Sequence, residues 1–249
     1  MMFSLAAAGI RAILLDIEGT TTPVSFVYDV LFPFAREHVT QFLEQHLETP
    51  ELHEPLELLR QEHAVDAQQI PGLPNLGSRS RAEQISSLVK YINWLMDRDR
   101  KSTGLKALQG KIWELGYRAG SLQADVYPDV ASAFERWRNL GARIAIFSSG
   151  SVLAQRLLFG HTNTGDLRPF IDDYFDTTVG AKNQPESYQA IANVLGAKPS
   201  ETLFLSDVSR ELDAAETAGM FSLLCIRPGN HPQPDIDRYE IIHSFDEVE

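Results

Sequence analysis

Cysteine is almost absent: one residue, Cys225, occurs in 249. One thiol cannot form an internal disulfide, so the fold must be held by its core, and a reducing compartment fits. Cys225 lies in the apolar run Ser222–Ile226 with no histidine near it in sequence. It reads as a buried, inert thiol rather than a nucleophile. Positive charge is also scarce, with 22 Lys and Arg against 34 Asp and Glu and a formal net charge of −12. Such a surface repels nucleic-acid phosphate and anionic lipid, so neither is an expected partner. It still admits a small phosphorylated molecule where local cations or a metal hold the anion. Long hydrophobic runs are missing. The apolar opening segment to Leu15 is short, is broken by Arg11 and has no basic leader, so neither a secretory signal nor a membrane span is expected. The cytoplasm is the expected location. The 7 histidines are scattered without metal-ligand spacing, which points away from zinc and from a histidine base. Repeats, low-complexity tracts and an evident coiled coil are absent as well, and with the acidic surface this leans towards a monomer.

What is present is an ordinary core-forming composition, 43% hydrophobic and 22% charged. Short apolar runs each stop at a polar residue: Arg11–Leu15 before Asp16, Ala142–Phe147 before Ser148, Thr202–Leu205 before Ser206 and Asp207, and Ser222–Ile226 before Arg227. Continuous apolar runs bounded by turn signals suit buried parallel strands. Helical patterns lie between the later runs. Val130, Phe134 and Trp137 share a face, as do Tyr188, Ile191, Val194 and Leu195, and Leu212, Ala215 and Ala218. This alternation predicts an α/β fold with a Rossmann-like, doubly wound parallel sheet.

Residues 23–124 read differently. Val27, Val30, Leu31, Phe34, Phe42 and Leu43 have helical spacing, with Pro33 a candidate kink. Ser80 and Glu83 form a capping box ahead of Ile85, Leu88, Val89, Ile92, Leu95 and Met96. Leu105, Leu108, Ile112 and Leu115 mark a further helix, and Ile70–Asn75 a loop. The division expected is a core of residues 1–22 and 125–249, interrupted after its first strand by a helical domain of residues 23–124. Ligands bind at the carboxyl ends of strands in such sheets, and an insert there is placed to cover a site.

The strongest chemical signal is Asp16-Ile17-Glu18-Gly19-Thr20. Two carboxylates two residues apart follow a buried strand, and a glycine lets the chain turn away. One carboxylate could attack phosphorus while the other handles a proton. Ser148 and Ser149 open a Ser-rich helix start, where hydroxyls and free N–H groups form an anion cradle. Lys182, before a helix starting near Pro185, could neutralise a phosphoryl oxygen. Asp207 ends a strand with Glu211 one turn on, and oxygen ligands from Asp16 and Asp207 suit Mg²⁺. Singly, each has a plain structural explanation: solvated turn acids, helix N-caps, a surface lysine. Their order along one sheet edge is the specific feature.

That order resembles the haloacid dehalogenase-like phosphohydrolases, whose motifs run an acidic pair, a Ser or Thr, a Lys and an acidic cluster. It is closer still to the enolase-phosphatase family of methionine salvage, through DIEGTTTPVSFV (16–27), LFPFA (31–35), DRDRKSTGLKALQGKIWELG (97–116), SSGSVLAQRLLFGH (148–161) and FLSDVSRE (204–211). Glu18 stands where most of the superfamily has Asp, and the enolase-phosphatase pattern also has Glu there. The resemblance implies a helical cap and a 2,3-diketo-5-methylthiopentyl 1-phosphate substrate, enolised and then dephosphorylated. It implies Asp16 as nucleophile and Glu18 as acid and base. Ser148, Ser149 and Lys182 would bind phosphate. Mg²⁺ would sit on Asp16, Asp207 and the Glu18 carbonyl, with Glu211 behind. Cap residues Arg98, Arg100, Lys101, Lys106 and Lys111 could reach substrate, although a solvated face interleaved with Asp97 and Asp99 explains most of them. Trp94 and Trp113 read as core. The alternatives are a related phosphatase for another small ester, a metal-free dehalogenase, which Asp207 and Glu211 argue against, and a non-enzymatic scaffold, which the intact acidic dyad argues against.

Overall fold

The computed structural model describes residues 2–77, 80–98 and 100–249; Asp99 lies outside them. The chain divides into two units, Met1–Asp29 with Gln123–Glu249, and Val30–Leu122.

The first unit opens with a short helix α1 (Leu5–Ala8), followed by strand β1 (Ala12–Leu15), every residue of which is buried. After residue 122 come α6 (Val130–Asn139), β2 (Arg143–Phe147), α7 (Val152–Gly160), β3 (Asp173–Phe175), α8 (Pro185–Val194), β4 (Thr202–Ser206), α9 (Ser209–Thr217), β5 (Phe221–Cys225) and β6 (Ile241–Ile242). These labels leave α2 to α5 for the second unit. The six strands form one sheet in the order β3-β2-β1-β4-β5-β6, and every pairing is parallel. The strand order reverses between β1 and β4, the switch point at which a crevice opens beyond the carboxyl ends. The expected doubly wound sheet is therefore present.

Burial follows the apolar patterns with three exceptions, Val194, Leu115 and Val30. Phe134 and Trp137 on α6, Tyr188 and Ile191 on α8 and Leu212 and Ala215 on α9 are all fully buried. Val194, expected on the inner face of α8, is 59% exposed, because it sits at the helix's last residue where the next turn no longer follows the stripe.

The second unit contains α2 (Phe32–His46), α3 (Pro50–Asp66), α4 (Arg81–Asp97) and α5 (Thr103–Arg118). Pro33 lies in the first turn of α2, and a π-helical segment, Phe26–Leu31, runs directly into that helix. Ser80 caps α4 by accepting from the Glu83 amide at 3.3 Å. Gly104 on α5 meets α3 directly: a Cβ there would lie 2.7 Å from the Leu59 nitrogen, so only glycine permits this approach. Trp113 is core, its Nε1 donating to the Leu31 carbonyl at 2.9 Å. Leu115, expected on the buried stripe, is 40% exposed. Three of the cations of this segment are engaged within the unit: Arg100 pairs with Asp66 at 2.6 Å, Lys111 with Glu114 at 3.4 Å, and Arg98 lies over the Trp94 ring at 4.5 Å. No helix among the described residues is long and apolar enough to cross a membrane.

A buried ion pair fixes the C-terminal segment to the core. Arg227 meets Asp129 at 2.8 Å with side-chain exposures of 4% and 10%. Its guanidinium lies between the rings of Tyr127 and Phe245, 4.6 and 4.7 Å from their centroids, and donates to the His243 carbonyl at 2.9 Å. Asp129 also accepts from the Phe245 amide and the Ser244 hydroxyl. Burial raises the Asp129 pKa, but the Arg227 and Phe245 hydrogen bonds outweigh it and leave it below the ordinary carboxylate value. Asp129→Asn, which strands the buried guanidinium, is expected to cost about 3 kcal/mol in urea unfolding at pH 7. Because the folded-state pKa is depressed, that contribution is complete above the unfolded value and is lost as pH falls through the folded one. The gap between wild type and variant should therefore close below about pH 4.

Candidate active site

Asp16 is the first residue beyond β1, and its amide continues the sheet by donating to the Leu205 carbonyl at 3.0 Å. The chain then folds back at once. The amides of Thr20, Thr21 and Thr22 all point at the Ile17 carbonyl, and Gly19 donates to Thr22 at 2.7 Å. Gly19 holds φ at +75°, and a Cβ on it would overlap the Asp207 carboxylate, so both backbone and space require glycine. The turn leaves the Asp16 side chain, 2% exposed, at the carboxyl end of the central strand. Glu18 is half-buried on the same turn.

Lys182 reaches this point from the loop between β3 and α8. Its Nζ lies 2.6 Å from Asp16 Oδ1 and 2.6 Å from Glu211 Oε2, with a side-chain exposure of 10%. It is not a solvated loop lysine. The loop is braced from α8, where the Tyr188 hydroxyl donates to the Lys182 carbonyl at 2.7 Å and the Ser187 hydroxyl to the Ala181 carbonyl at 2.8 Å. Ser206, the last residue of β4, joins the two acids by donating to Asp16 Oδ2 at 3.4 Å or Glu211 Oε2 at 3.1 Å.

Asp207 follows Ser206 and is buried. It does not cap α9. The cap position is Val208, and the amide of Ser209 is satisfied by Gln233 at 3.1 Å. The Asp207 carboxylate makes no hydrogen bond or ion pair among the described residues.

Beyond β2, Ser148 and Ser149 separate in character. Ser148 is buried and Ser149 is exposed. The Ser148 amide is tied to the Phe175 carbonyl at 3.1 Å, while its hydroxyl accepts from the Gly150 amide at 3.1 Å and keeps its own hydrogen to donate. The helix cap falls to Ser151, which accepts from Ala154 at 3.3 Å. Gln155, 1% exposed on α7, donates to the carbonyls of Gly150 at 2.9 Å and Phe175 at 2.8 Å and so holds the loop in place.

The electrostatics are lopsided. Asp16, Asp207 and Glu211 are buried together, and Lys182 is the cation paired among them. Three buried carboxyl groups face one ammonium, so holding all three ionised at once is unfavourable. Burial pushes the Asp207 pKa up to about 8, with the Asp16 and Glu211 charges adding to it. Glu211 is raised by burial against the pull of Lys182. Burial disfavours the Lys182 charge, yet Asp16 and Glu211 more than reverse this and hold the ammonium firmly protonated. No three His, Cys, Asp or Glu side chains among the described residues enclose a single ion. Mg²⁺ does not need such a cage, since it is held by one or two carboxylates and completes its shell with water and phosphate oxygens. Two buried carboxylates, a surplus of negative charge and an unpartnered Asp207 fit that ion.

The strand ends thus gather Asp16, Lys182, Asp207 and Glu211 at one edge, with Ser148 at the end of the neighbouring strand. Ser206 and Gln155 were not singled out in the sequence. Gln155 carried a faint signal as a polar residue inside the apolar stretch Val152–Phe159. Two hollows elsewhere, one of about 210 Å³ beside Glu62 and Ser102 and one of about 360 Å³ beside Arg136 and Leu140, contain none of these residues.

Known proteins resemble this chain over nearly its whole length. Residues 10–219 match the haloacid dehalogenase-like hydrolases. The chain is 52% identical over 239 residues to enolase-phosphatase E1 of Synechococcus elongatus, covering 96% of this chain and 98% of that one. It is 46% identical to a probable bifunctional methylthioribulose-1-phosphate dehydratase/enolase-phosphatase E1 of Vitis vinifera, spanning 47% of that longer protein. Among solved structures, the UTR4 protein of Saccharomyces cerevisiae superimposes with a TM-score of 0.75 at 36% identity, covering 95% of this chain and 99% of that one.

Lys182→Met removes the ammonium from a buried pair of acids. It is expected to cost about 3 kcal/mol or more in chemical unfolding at pH 7.5. Part of that loss should return as the pH falls, because burial already holds the Glu211 pKa above the ordinary carboxylate value and the variant lacks the ammonium that opposes this.

Proposed function

The chain belongs to the haloacid dehalogenase-like hydrolases and, within them, to the enolase-phosphatase E1 family, and from that premise we propose that it enolises 2,3-diketo-5-methylthiopentyl 1-phosphate and then removes its phosphate to give the acireductone. The observation that carries this reading is the position of Asp16: buried, paired with Lys182 at 2.6 Å, at the carboxyl end of the central strand, with Ser148 and Asp207 just beyond the ends of the strands on either side.

Asp16 is the nucleophile. One of its oxygens bonds to phosphorus as the bond from phosphorus to the C1 oxygen breaks, forming an aspartyl phosphate. Glu18 gives its proton to the departing oxygen, then takes a proton from the water that releases phosphate from Asp16. Ser148, Ser149 and Lys182 bind the equatorial phosphoryl oxygens, where negative charge spreads in the transition state. Lys182 is paired with Asp16 before substrate arrives, which fixes the position of the nucleophile. Glu211 holds Lys182 from behind. In the enolisation, the same reading gives Glu18 the proton at C1.

Mg²⁺ is the cofactor of this reading. Asp16, Asp207 and the Glu18 carbonyl would hold it, and when bound it supplies positive charge that cancels the repulsion between two anions, carboxylate and phosphate. Residues 23–124 act as the cap in this proposal, and the protein works as a cytoplasmic monomer on a small phosphorylated diketone.

The direct test incubates the purified protein anaerobically with the diketo phosphate and Mg²⁺, following phosphate release beside the ultraviolet absorbance of the enol product. Both signals should appear and should vanish with chelator, and Asp16→Asn should release no phosphate. Mg²⁺-dependent release from other esters but not from this one would overturn the substrate assignment. In deuterium oxide, Glu18→Gln should show no deuterium uptake at C1; uptake at the wild-type rate would remove Glu18 from the enolisation.

A further inference from the structure

Asn230 follows β5 in the turn Arg227-Pro228-Gly229-Asn230, outside every motif considered above. The turn is anchored at one end by the buried Arg227–Asp129 pair, and the Asn230 amide donates to the Arg227 carbonyl at 3.2 Å. The side chain reaches across to the turn after β1. Its Nδ2 donates to the Gly19 carbonyl at 3.0 Å and to the Cys225 carbonyl at 3.2 Å. Two carbonyl acceptors fix the amide's orientation, since a flip would set oxygen against oxygen.

That orientation leaves Oδ1 as a buried acceptor with no hydrogen-bond partner. It faces the space beside Gly19, where a Cβ would lie 2.9 Å from it and would overlap Asp207 Oδ2. Two acceptor oxygens, one carboxylate and one amide, therefore pack against the same side of Gly19, and neither receives a hydrogen bond from the described residues. A buried acceptor that the protein leaves unpaired calls for a partner from outside the chain, an ordered water, an ion or a ligand. Asp207 is the carboxylate assigned to Mg²⁺, and a hydrated Mg²⁺ carries donors in the form of its waters.

We propose that Asn230 is a positioning residue of the divalent-cation site: its amide nitrogen clamps the Glu18–Gly19 turn against Asp207, and its Oδ1 accepts a hydrogen bond from a water carried by the ion. The inference rests on the assignment of Mg²⁺ to Asp16, Glu18 and Asp207 and adds a residue to it. Partners of this kind orient the ligands of a metal, and their loss commonly weakens binding about 10–100-fold.

The test is titration calorimetry of Mg²⁺ into the substrate-free protein. Asn230→Leu, close in shape but without polar atoms, should remain folded by circular dichroism and bind Mg²⁺ at least about 10-fold more weakly than wild type. The Mg²⁺ concentration for half-maximal activity should rise in parallel, with kcat recovering at saturating Mg²⁺; a merely structural role would lower stability without this metal dependence. Equal Mg²⁺ affinity in both proteins overturns the inference. Absence of Mg²⁺ binding by wild type overturns the metal assignment beneath it, so the two failures are distinct. If Asn230→Leu does not fold, Asn230→Ala decides. It removes both the clamp and the acceptor and adds no charge, so Mg²⁺ should raise its melting temperature by less than it raises that of wild type. A rise as large as wild type's counts against the proposal.

Discussion

The contact on which the site depends is the one between Lys182 and two buried acids, Asp16 and Glu211, each at 2.6 Å. A carboxylate as deeply enclosed as Asp16 is tolerated in ionised form only when a charge and hydrogen bonds replace the water it loses. The parallel sheet makes that replacement possible. With β1 in the centre and β4 beside it, residues far apart in sequence arrive at adjacent strand ends, and Lys182 enters from the loop after β3. The compensation is deliberately incomplete in charge terms. One ammonium cannot neutralise Asp16, Asp207 and Glu211 together, and the residue that carries the imbalance is Asp207, whose pKa is pushed up to about 8. In the proposed function a bound cation would relieve that imbalance.

Much of this was legible in the sequence because buried parallel strands leave a simple trace. Ala12–Leu15, Arg143–Phe147, Thr202–Ser206 and Phe221–Cys225 are short apolar runs, and a polar residue after each marks the edge. The elements that were missed leave no such trace. β3 is three half-buried residues, Asp173–Phe175, at the margin of the sheet, and β6 is two residues, Ile241–Ile242. Helix α3, Pro50–Asp66, starts with Pro50 and contains Pro55 among charged residues, so its stripe of Leu52, Leu56 and Leu59 is easily overlooked. Exposed Val194 and Leu115 show the limit of helical spacing, which fixes a face but not where the neighbouring surface ends.

The catalytic candidates were legible for a related reason: they are charged or hydroxylated residues at strand ends, where such types are conspicuous. Residues that brace them were not. Gln155 acts through two backbone carbonyls, Gly150 and Phe175, and Asn230 through Gly19 and Cys225. A contact from a side chain to a distant backbone carries no pattern in sequence. It depends on which loops the fold brings together, and only the assembled sheet determines that.

Those bracing contacts show a division of labour that the ordinary explanation of each motif would have denied. A serine, an aspartate and a lysine after buried strands could have served as two helix caps and a surface charge. In the structure, Ser151 caps α7 and Gln233 satisfies the start of α9, while Tyr188 and Ser187 hold the lysine loop by its backbone. Neutral side chains thus take over the structural hydrogen bonds, and the groups with chemistry to perform are released from them. The Ser148 hydroxyl keeps a hydrogen to donate and Asp207 keeps both oxygens to offer. A site whose reactive groups are fixed in place by other residues pays little reorganisation when charge develops on a phosphoryl group, and this is the condition under which fixed dipoles and charges accelerate a reaction most.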